Sequence, residues 1–257
     1  MDLTTLCARL DDRLRTDDYA DLDASPNGLQ VGPDAGEVEH VAFAVDAARA
    51  TAEAAVDAGA DLLVTHHGLI WGDAERVTGQ LYDRLAPLFA GDCPLYVSHL
   101  PLDGHPELGN AAGLADLLGL VDREPFGHVG PEPIGLRGRV PDGLDPAAVR
   151  DLLATELDTG PAEPQLLDHE GAPETATDVA IVTGSGADFF GEARDADVDL
   201  FVTGEGKGKL YHESREAGVN VVLGGHYATE TFGVRALADL VAEWGLETTV
   251  LEHPTGL

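Results

Sequence analysis

The chain repeats itself. Displaced by 138 positions, Val41–Gly68 lies over Val179–Gly206 without a gap. Ten of these 28 positions are identical, including Asp61-Leu-Leu-Val-Thr65 against Asp199-Leu-Phe-Val-Thr203. A second match, Gly113-Leu-Ala-Asp-Leu-Leu118 over Ala236-Leu-Ala-Asp-Leu-Val241, follows at a displacement of 123. Such duplication narrows the choice of folds, because each copy is one supersecondary unit that must bury its apolar face in an equivalent way. It predicts an α/β protein of two related βαβα-type lobes, near 1–125 and 126–257 with interleaved edges, packed about a pseudo-twofold axis.

Strand-like and helix-like runs alternate within each copy. Val38–Val45 reads as a strand, Ala47–Ala58 as a helix with Asp46 as N-cap, and Asp61–Thr65 as a buried strand. A helix over Glu75–Leu88 leads to a strand at Leu95–Ser98. Another helix runs from Pro106 to Leu118, where proline suits the first turn. Asp122–Glu132, rich in Pro and Gly, reads as a boundary. Beyond it strands fall near Ile134–Val140, Val179–Thr183, Leu200–Thr203, Val219–Leu223 and Glu247–Leu251, with helices between.

Three clusters of metal-competent side chains occupy the ends of these strands, where open α/β sheets bind their ligands. His66 and His67 follow the first buried strand. His99-Leu-Pro-Leu-Asp-Gly-His105 offers His99, Asp103 and His105. Gly225-His226-Tyr-Ala-Thr-Glu230 starts a helix, on which His226 and Glu230 share a face. At the displacement of 123, Asp103 falls on His226. Together His66, His67, Asp103, His226 and Glu230 give three imidazoles and two carboxylates, a donor set suited to Zn, Fe, Mn, Co or Ni. Five such ligands suit two divalent ions about 3.5–4 Å apart, the spacing of hydrolytic dinuclear centres, and place a dinuclear site between the lobes.

At these residues the sequence resembles the GTP cyclohydrolase 1 type 2 homologues, the nif-three-like dinuclear metal centre proteins. The motifs that carry the resemblance are Ser25-Pro-Asn-Gly-Leu-Gln-Val-Gly32, Val64-Thr-His-His-Gly68 and His99-Leu-Pro-Leu-Asp-Gly-His-Pro-Glu-Leu-Gly-Asn110 in the first half. In the second half they are Val202-Thr-Gly-Glu205 and Gly224-Gly-His-Tyr-Ala-Thr-Glu230. The resemblance implies the same five ligands, with Glu230 bridging the two ions. It also implies the short form without an inserted domain, a homohexameric ring, and hydrolytic opening of the guanine ring of GTP.

Other residues have smaller expected roles. His99 is expected beside the ligands rather than among them, and His99 and Glu205 are the catalytic candidates. Asn27 and Glu205 can orient water or substrate, and His212 can approach from the helix that follows. Gly204-Glu-Gly-Lys-Gly208 resembles a phosphate-cradling loop without being a Walker A sequence. No serine or cysteine nucleophile is indicated, since Gly184-Ser-Gly is not a nucleophile elbow.

Charge bears on function more than on fold. Forty-seven acidic and 15 basic residues give a formal charge of −32, with Lys207 and Lys209 the only lysines. The acids are dispersed along the chain, which reads as a solvated surface suited to a salty (halophilic) cytoplasm. The same surface disfavours nucleic-acid binding, which needs basic groups to neutralise phosphates. No apolar stretch suggests a membrane span, no signal peptide is recognised, and Cys7 and Cys93 cannot build a disulfide framework, so a cytoplasmic protein is expected. The functional expectation is a dinuclear-metal hydrolase acting on a nucleotide or phosphorylated small molecule. Its rival is a non-catalytic metal-dependent binding or regulatory ring.

Overall fold

The computed structural model describes residues 1–72 and 74–257. The strands in chain order are β1 (Gly28–Val31), β2 (His40–Asp46), β3 (Leu62–His67), β4 (Leu95–Val97), β5 (Val121–Val129), β6 (Glu132–Leu144), β7 (Gln165–Leu167), β8 (Ala176–Val182), β9 (Leu200–Thr203), β10 (Asn220–Leu223) and β11 (Glu247–Val250). The helices are α1 (Leu3–Leu14), α2 (Arg49–Asp57), α3 (Gln80–Ala90), α4 (Leu100–Asp103), α5 (Asn110–Leu117), α6 (Pro146–Glu156), α7 (Phe190–Asp195), α8 (Gly208–Ala217), α9 (His226–Thr229) and α10 (Thr231–Glu243). The fold is mixed α/β with two sheets, one in each of two compact units. The first unit is Met1–Leu102 with Gly233–His253; the second is Asp103–Phe232 with Pro254–Leu257.

In the first unit the sheet runs β1-β4-β3-β2-β11. Strands β11, β2, β3 and β4 are parallel, and β1 closes one edge antiparallel to β4. Parallel strands covered on both faces need apolar residues at almost every position, and Val41–Val45 and Leu62–Val64 are fully buried. Ala52 and Ala55 of α2 and Leu85 and Leu88 of α3 pack with Ala42, Ala44, Leu63, Leu95 and Val97. From α1, Asp11 accepts a hydrogen bond from the Tyr96 hydroxyl at 2.7 Å.

In the second unit the sheet runs β5-β6-β8-β9-β10-β7. Its centre, β8-β9-β10, is parallel, and β6 and β7 flank it antiparallel. Leu114 and Ala115 of α5 and Val149 and Leu153 of α6 pack on Val179, Ile181, Val202 and Val222. Residues 122–132, the Pro/Gly-rich stretch expected to be a boundary, instead form most of β5 and its turn into β6.

The repeat is structural. In the first unit Val41 pairs with Leu62 and Ala44 with Thr65. In the second, Val179 pairs with Leu200 and Val182 with Thr203, the same register displaced by 138 at both strands. The identical aspartates fix it. Asp61 Oδ2 accepts the backbone N–H groups of Glu39 and His40 at 2.8 and 3.0 Å. Asp199 Oδ2 accepts those of Thr177 and Asp178 at 2.8 and 3.1 Å.

Several local expectations shift. Asp46 does not cap α2: Ala48 takes the N-cap position, and its N–H donates to Thr51 Oγ1 at 2.8 Å. The helix expected over Glu75–Leu88 starts only at Gln80, because Gly79 enters with φ 57°, where a helix cannot pass. The helix expected from Pro106 starts at Asn110. Residues 105–109 form a turn instead, in which His105 Nδ1 accepts the N–H groups of Glu107 and Leu108 at 3.1 and 3.0 Å. Among the described residues no helix is long and apolar enough to cross a membrane.

Candidate metal centre

His66 and His67 are the last two residues of β3. Their ring centroids are 4.7 Å apart, and that of His99 lies 5.1 and 5.6 Å from them. One ring nitrogen from each of the three lies within 4.8 Å of the others, so the group can hold a metal ion.

The orientation of each ring is fixed from behind. His66 Nδ1 is 2.9 Å from the Ser98 carbonyl, His67 Nδ1 is 2.8 Å from Asp46 Oδ1, and His99 Nδ1 is 2.9 Å from Asp23 Oδ1. Each oxygen is an acceptor, so each Nδ1 donates its proton to it, and Nε2 is the nitrogen a metal would take. This is how metal-ligating histidines are commonly held.

Sequence reasoning missed Asp23. Its side chain is 2% exposed and accepts from Ser25 N, Asn27 Nδ2, His99 Nδ1 and Leu100 N, all within 3.0 Å. Burial opposes ionisation, but the bonds from His99, Asn27 and Ser25 and the charge of His99 outweigh it and hold the carboxyl below its usual range. Asn27 Oδ1 also accepts the His99 backbone N–H at 2.7 Å, so Asn27 acts here by fastening His99. A contact spanning 76 residues leaves no periodic trace in the sequence.

In the second unit α9 begins at His226 and ends at Thr229, so Glu230 lies just past the expected helix, yet the two side chains are side by side, with Nε2 and Oε2 3.2 Å apart. Buried Asp103 accepts from Asn110 Nδ2 at 2.9 Å. His226 Nδ1 lies 3.4 Å from both Glu205 Oε1 and Ser185 Oγ, and the Ser185 hydroxyl donates to Glu205. Burial lowers the His226 pKa, but the hydrogen bond and charge of Glu230, with those of Glu205, carry it up to about 9.

Gly184 stands out in the sequence only for a motif it fails to match, yet it makes this cluster possible. Its φ is +57°, and a Cβ there would lie 2.0 Å from Glu230 Oε1. Buried Thr229 supports it, accepting the Gly184 N–H at 3.1 Å.

Of the remaining candidates, His105 caps its turn. His212 is exposed on α8, edge-on to Tyr211, and is in none of the possible metal-holding groups among the described residues. Lys207, at the start of α8, is paired with Asp188. Cys7 and Cys93 are both buried, and burial with nearby carboxylates pushes each thiol up to about 11. A cavity of about 400 Å³ opens in the second unit beyond β9 and β10, bordered by Glu205, Lys207, Tyr211, Leu223 and Gly225. Its volume is that of a small-molecule site.

Residues 1–255 match the Duf34/NIF3 (NGG1p interacting factor 3) family. The chain belongs to this family. A relative from Halobacterium salinarum named "GTP cyclohydrolase 1 type 2 homolog" is 58% identical over 257 residues, covering 100% of both chains. One of the same name from Deinococcus radiodurans is 42% identical, covering 91% of this chain and 88% of its own. Among solved structures, TTHA1606 from Thermus thermophilus superposes with a TM-score of 0.86 at 42% identity, and protein ybgI with 0.89 at 34%, each covering 100% of both chains. The NIF3-family chain therefore has relatives that match it along its whole length, and the resemblance read from its motifs holds.

Proposed function

We propose that the protein is a cytoplasmic, dinuclear-metal-dependent hydrolase of a nucleotide or phosphorylated small molecule. His66, His67, Asp103, His226 and Glu230 are the residues that would hold two divalent ions. The observation that carries this reading is the set of imidazoles whose Nδ1 atoms are tied to oxygens, together with buried carboxylates and no thiolate among the donors. That set fits a first-row divalent ion such as Zn, Fe, Mn, Co or Ni. When bound, the ions supply Lewis acidity and a water acidified toward neutrality.

The chain's own residues do the rest. Asp46, Asp23 and the Ser98 carbonyl aim the imidazoles, and Asn110 holds the Asp103 carboxylate. Glu205 and Ser185 face His226 Nδ1, and Glu205 borders the cavity, which puts it where it can orient a substrate group. The cavity volume and the relatives' shared name support a nucleotide-sized substrate. The charge of −32 supports work in high salt, and the family resemblance supports a homohexameric ring.

The test is turnover: metal-loaded protein in 2 M KCl incubated with GTP, other nucleotides and phosphorylated small molecules, with products resolved by chromatography. Conversion that disappears on chelation and returns with metal supports the hydrolase. Saturable, metal-dependent binding without product would instead establish a non-catalytic binding or regulatory ring.

A further inference from the structure

We propose that the cavity beyond β9 and β10 is a pocket for an aromatic ring carrying an exocyclic amino group, with Tyr211 as its stacking face and Glu163 as the acceptor of the amino protons. This rests on the nucleotide reading above and deepens it: the base, rather than the phosphate, is what the cavity recognises.

The cavity lies wholly within the second unit. Its walls come from β7 and β10, which pair antiparallel with Gln165 opposite Leu223, and from the loop between β9 and α8. Pro164, Leu167 and Leu223 make it apolar on those sides. The loop contributes bare backbone: a Cβ at Gly206 would lie 2.9 Å from Leu223 Cδ1 and crowd the wall. Such a lining suits a flat ring better than a hydrated phosphate.

Tyr211 borders the cavity and is 45% exposed, yet its position is fixed. His169 and His212 both stand edge-on to it, with ring centroids 5.6 and 5.3 Å away. Buried Ser214 ties the group together. His169 Nε2 lies 2.8 Å from its Oγ, and its hydroxyl donates to the Tyr211 carbonyl at 3.2 Å. An exposed aromatic ring held still by its neighbours is a platform on which a base can stack.

Charge decides which end of a nucleotide enters. Among the described residues no arginine borders the cavity, and its one cation, Lys207, is paired with Asp188. Lys209 reaches the same carboxylate at 3.3 Å, so both lysines of the chain are committed. The cavity instead presents the carboxylates of Glu205 and Glu163. Ser185 engages Glu205, whereas exposed Glu163 has no hydrogen bond or ion pair among the described residues. A carboxylate accepts N–H groups and repels phosphate.

The experiment uses the full chain, stripped of metal, in 2 M KCl, with 2-aminopurine riboside, a nucleoside whose fluorescence falls when its base stacks. Saturable quenching is expected. Tyr211→Ala should weaken binding about 5- to 100-fold, and Tyr211→Phe should restore it. Adenosine should displace the probe about 10-fold better than purine riboside, which lacks only the amino group, and Glu163→Ala should erase that preference. Inorganic phosphate should not displace the probe. Both substituted side chains are exposed, so the variants should stay folded, which circular dichroism checks. No saturable quenching, displacement by phosphate, or binding indifferent to Tyr211→Ala would overturn the inference, and an amino preference that survives Glu163→Ala would overturn the role of Glu163. The probe carries no phosphate and needs no metal, so the pocket and the hydrolase can fail separately. Base binding without turnover by metal-loaded protein would remove the hydrolase and leave the pocket. Turnover unaffected by Tyr211→Ala and Glu163→Ala would remove the pocket and leave the hydrolase.

Discussion

At the residue scale, the chemistry is set by which atom each ring nitrogen meets. Asp46 shows this: a residue expected to cap a helix instead accepts the Nδ1 proton of His67. Asp46→Ala should therefore leave α2 intact, since Ala48 and Thr51 start it, while weakening metal binding about 10–100-fold. Unchanged Zn²⁺ affinity by chelator competition would show that the contact is not orienting. His226 makes a pH prediction. In the metal-free protein its folded pKa of about 9 lies above the ordinary histidine value of 6.5. The proton is thus bound more tightly in the folded state, and its contribution to stability is complete below about pH 6.5 and lost as pH rises through 9. The unfolding temperature of the metal-free protein should fall between about pH 7 and 9.5. Metal loading near neutral pH should release protons, measurable with an indicator dye, and His226→Ala should reduce that release.

At the element scale, two copies of one βαβ register carry different side chains at matching places. His66 and His67 correspond to Gly204 and Glu205, and Asp46 to Gly184. In the first copy the aspartate reaches out to hold a histidine; in the second, the glycine leaves room for Glu230. Gly204 is equally constrained, since a Cβ there would lie 2.8 Å from the His226 Cα. Gly184→Ala combines a left-handed backbone with a collision on Glu230, so it should cost metal binding as well as stability. Retention of full metal content would show that Glu230 can move aside. The paired aspartates make a matched test. Asp61→Ala and Asp199→Ala each strand two backbone N–H groups, and each should destabilise by about 1–3 kcal/mol in denaturant titrations. Strongly unequal losses would mean the two copies do not use their aspartates alike. The parallel strands of the two copies were legible because each is a short buried run, whereas the exposed β5 and β7 were not. Helix starts were not, because they turned on Gly79 entering at positive φ and on His105 capping a turn through its ring.

At the scale of the whole molecule, the excess of 32 negative charges predicts a dependence on salt. Screening shortens from about 10 Å at 0.1 M salt to about 3 Å at 1 M, so self-repulsion is strongest in dilute buffer. The unfolding temperature should rise steeply with KCl up to molar concentrations, and light scattering should show larger assemblies there than at low salt. A flat salt dependence would count against salt adaptation. The sequence by itself determined the duplication, the buried parallel strands of its two copies, and the ring and carboxylate residues at the strand ends. Those are local or periodic properties, written in which side chains recur and where apolar runs stop. Only the tertiary structure decided that Asp23 and Asp46 stand behind His99 and His67, that Asn27 serves His99, and that Gly184 makes the space Glu230 occupies. These contacts join residues from 21 to 76 positions apart. No local pattern records them, because a hydrogen bond to an imidazole constrains where two side chains meet and leaves the sequence between them free.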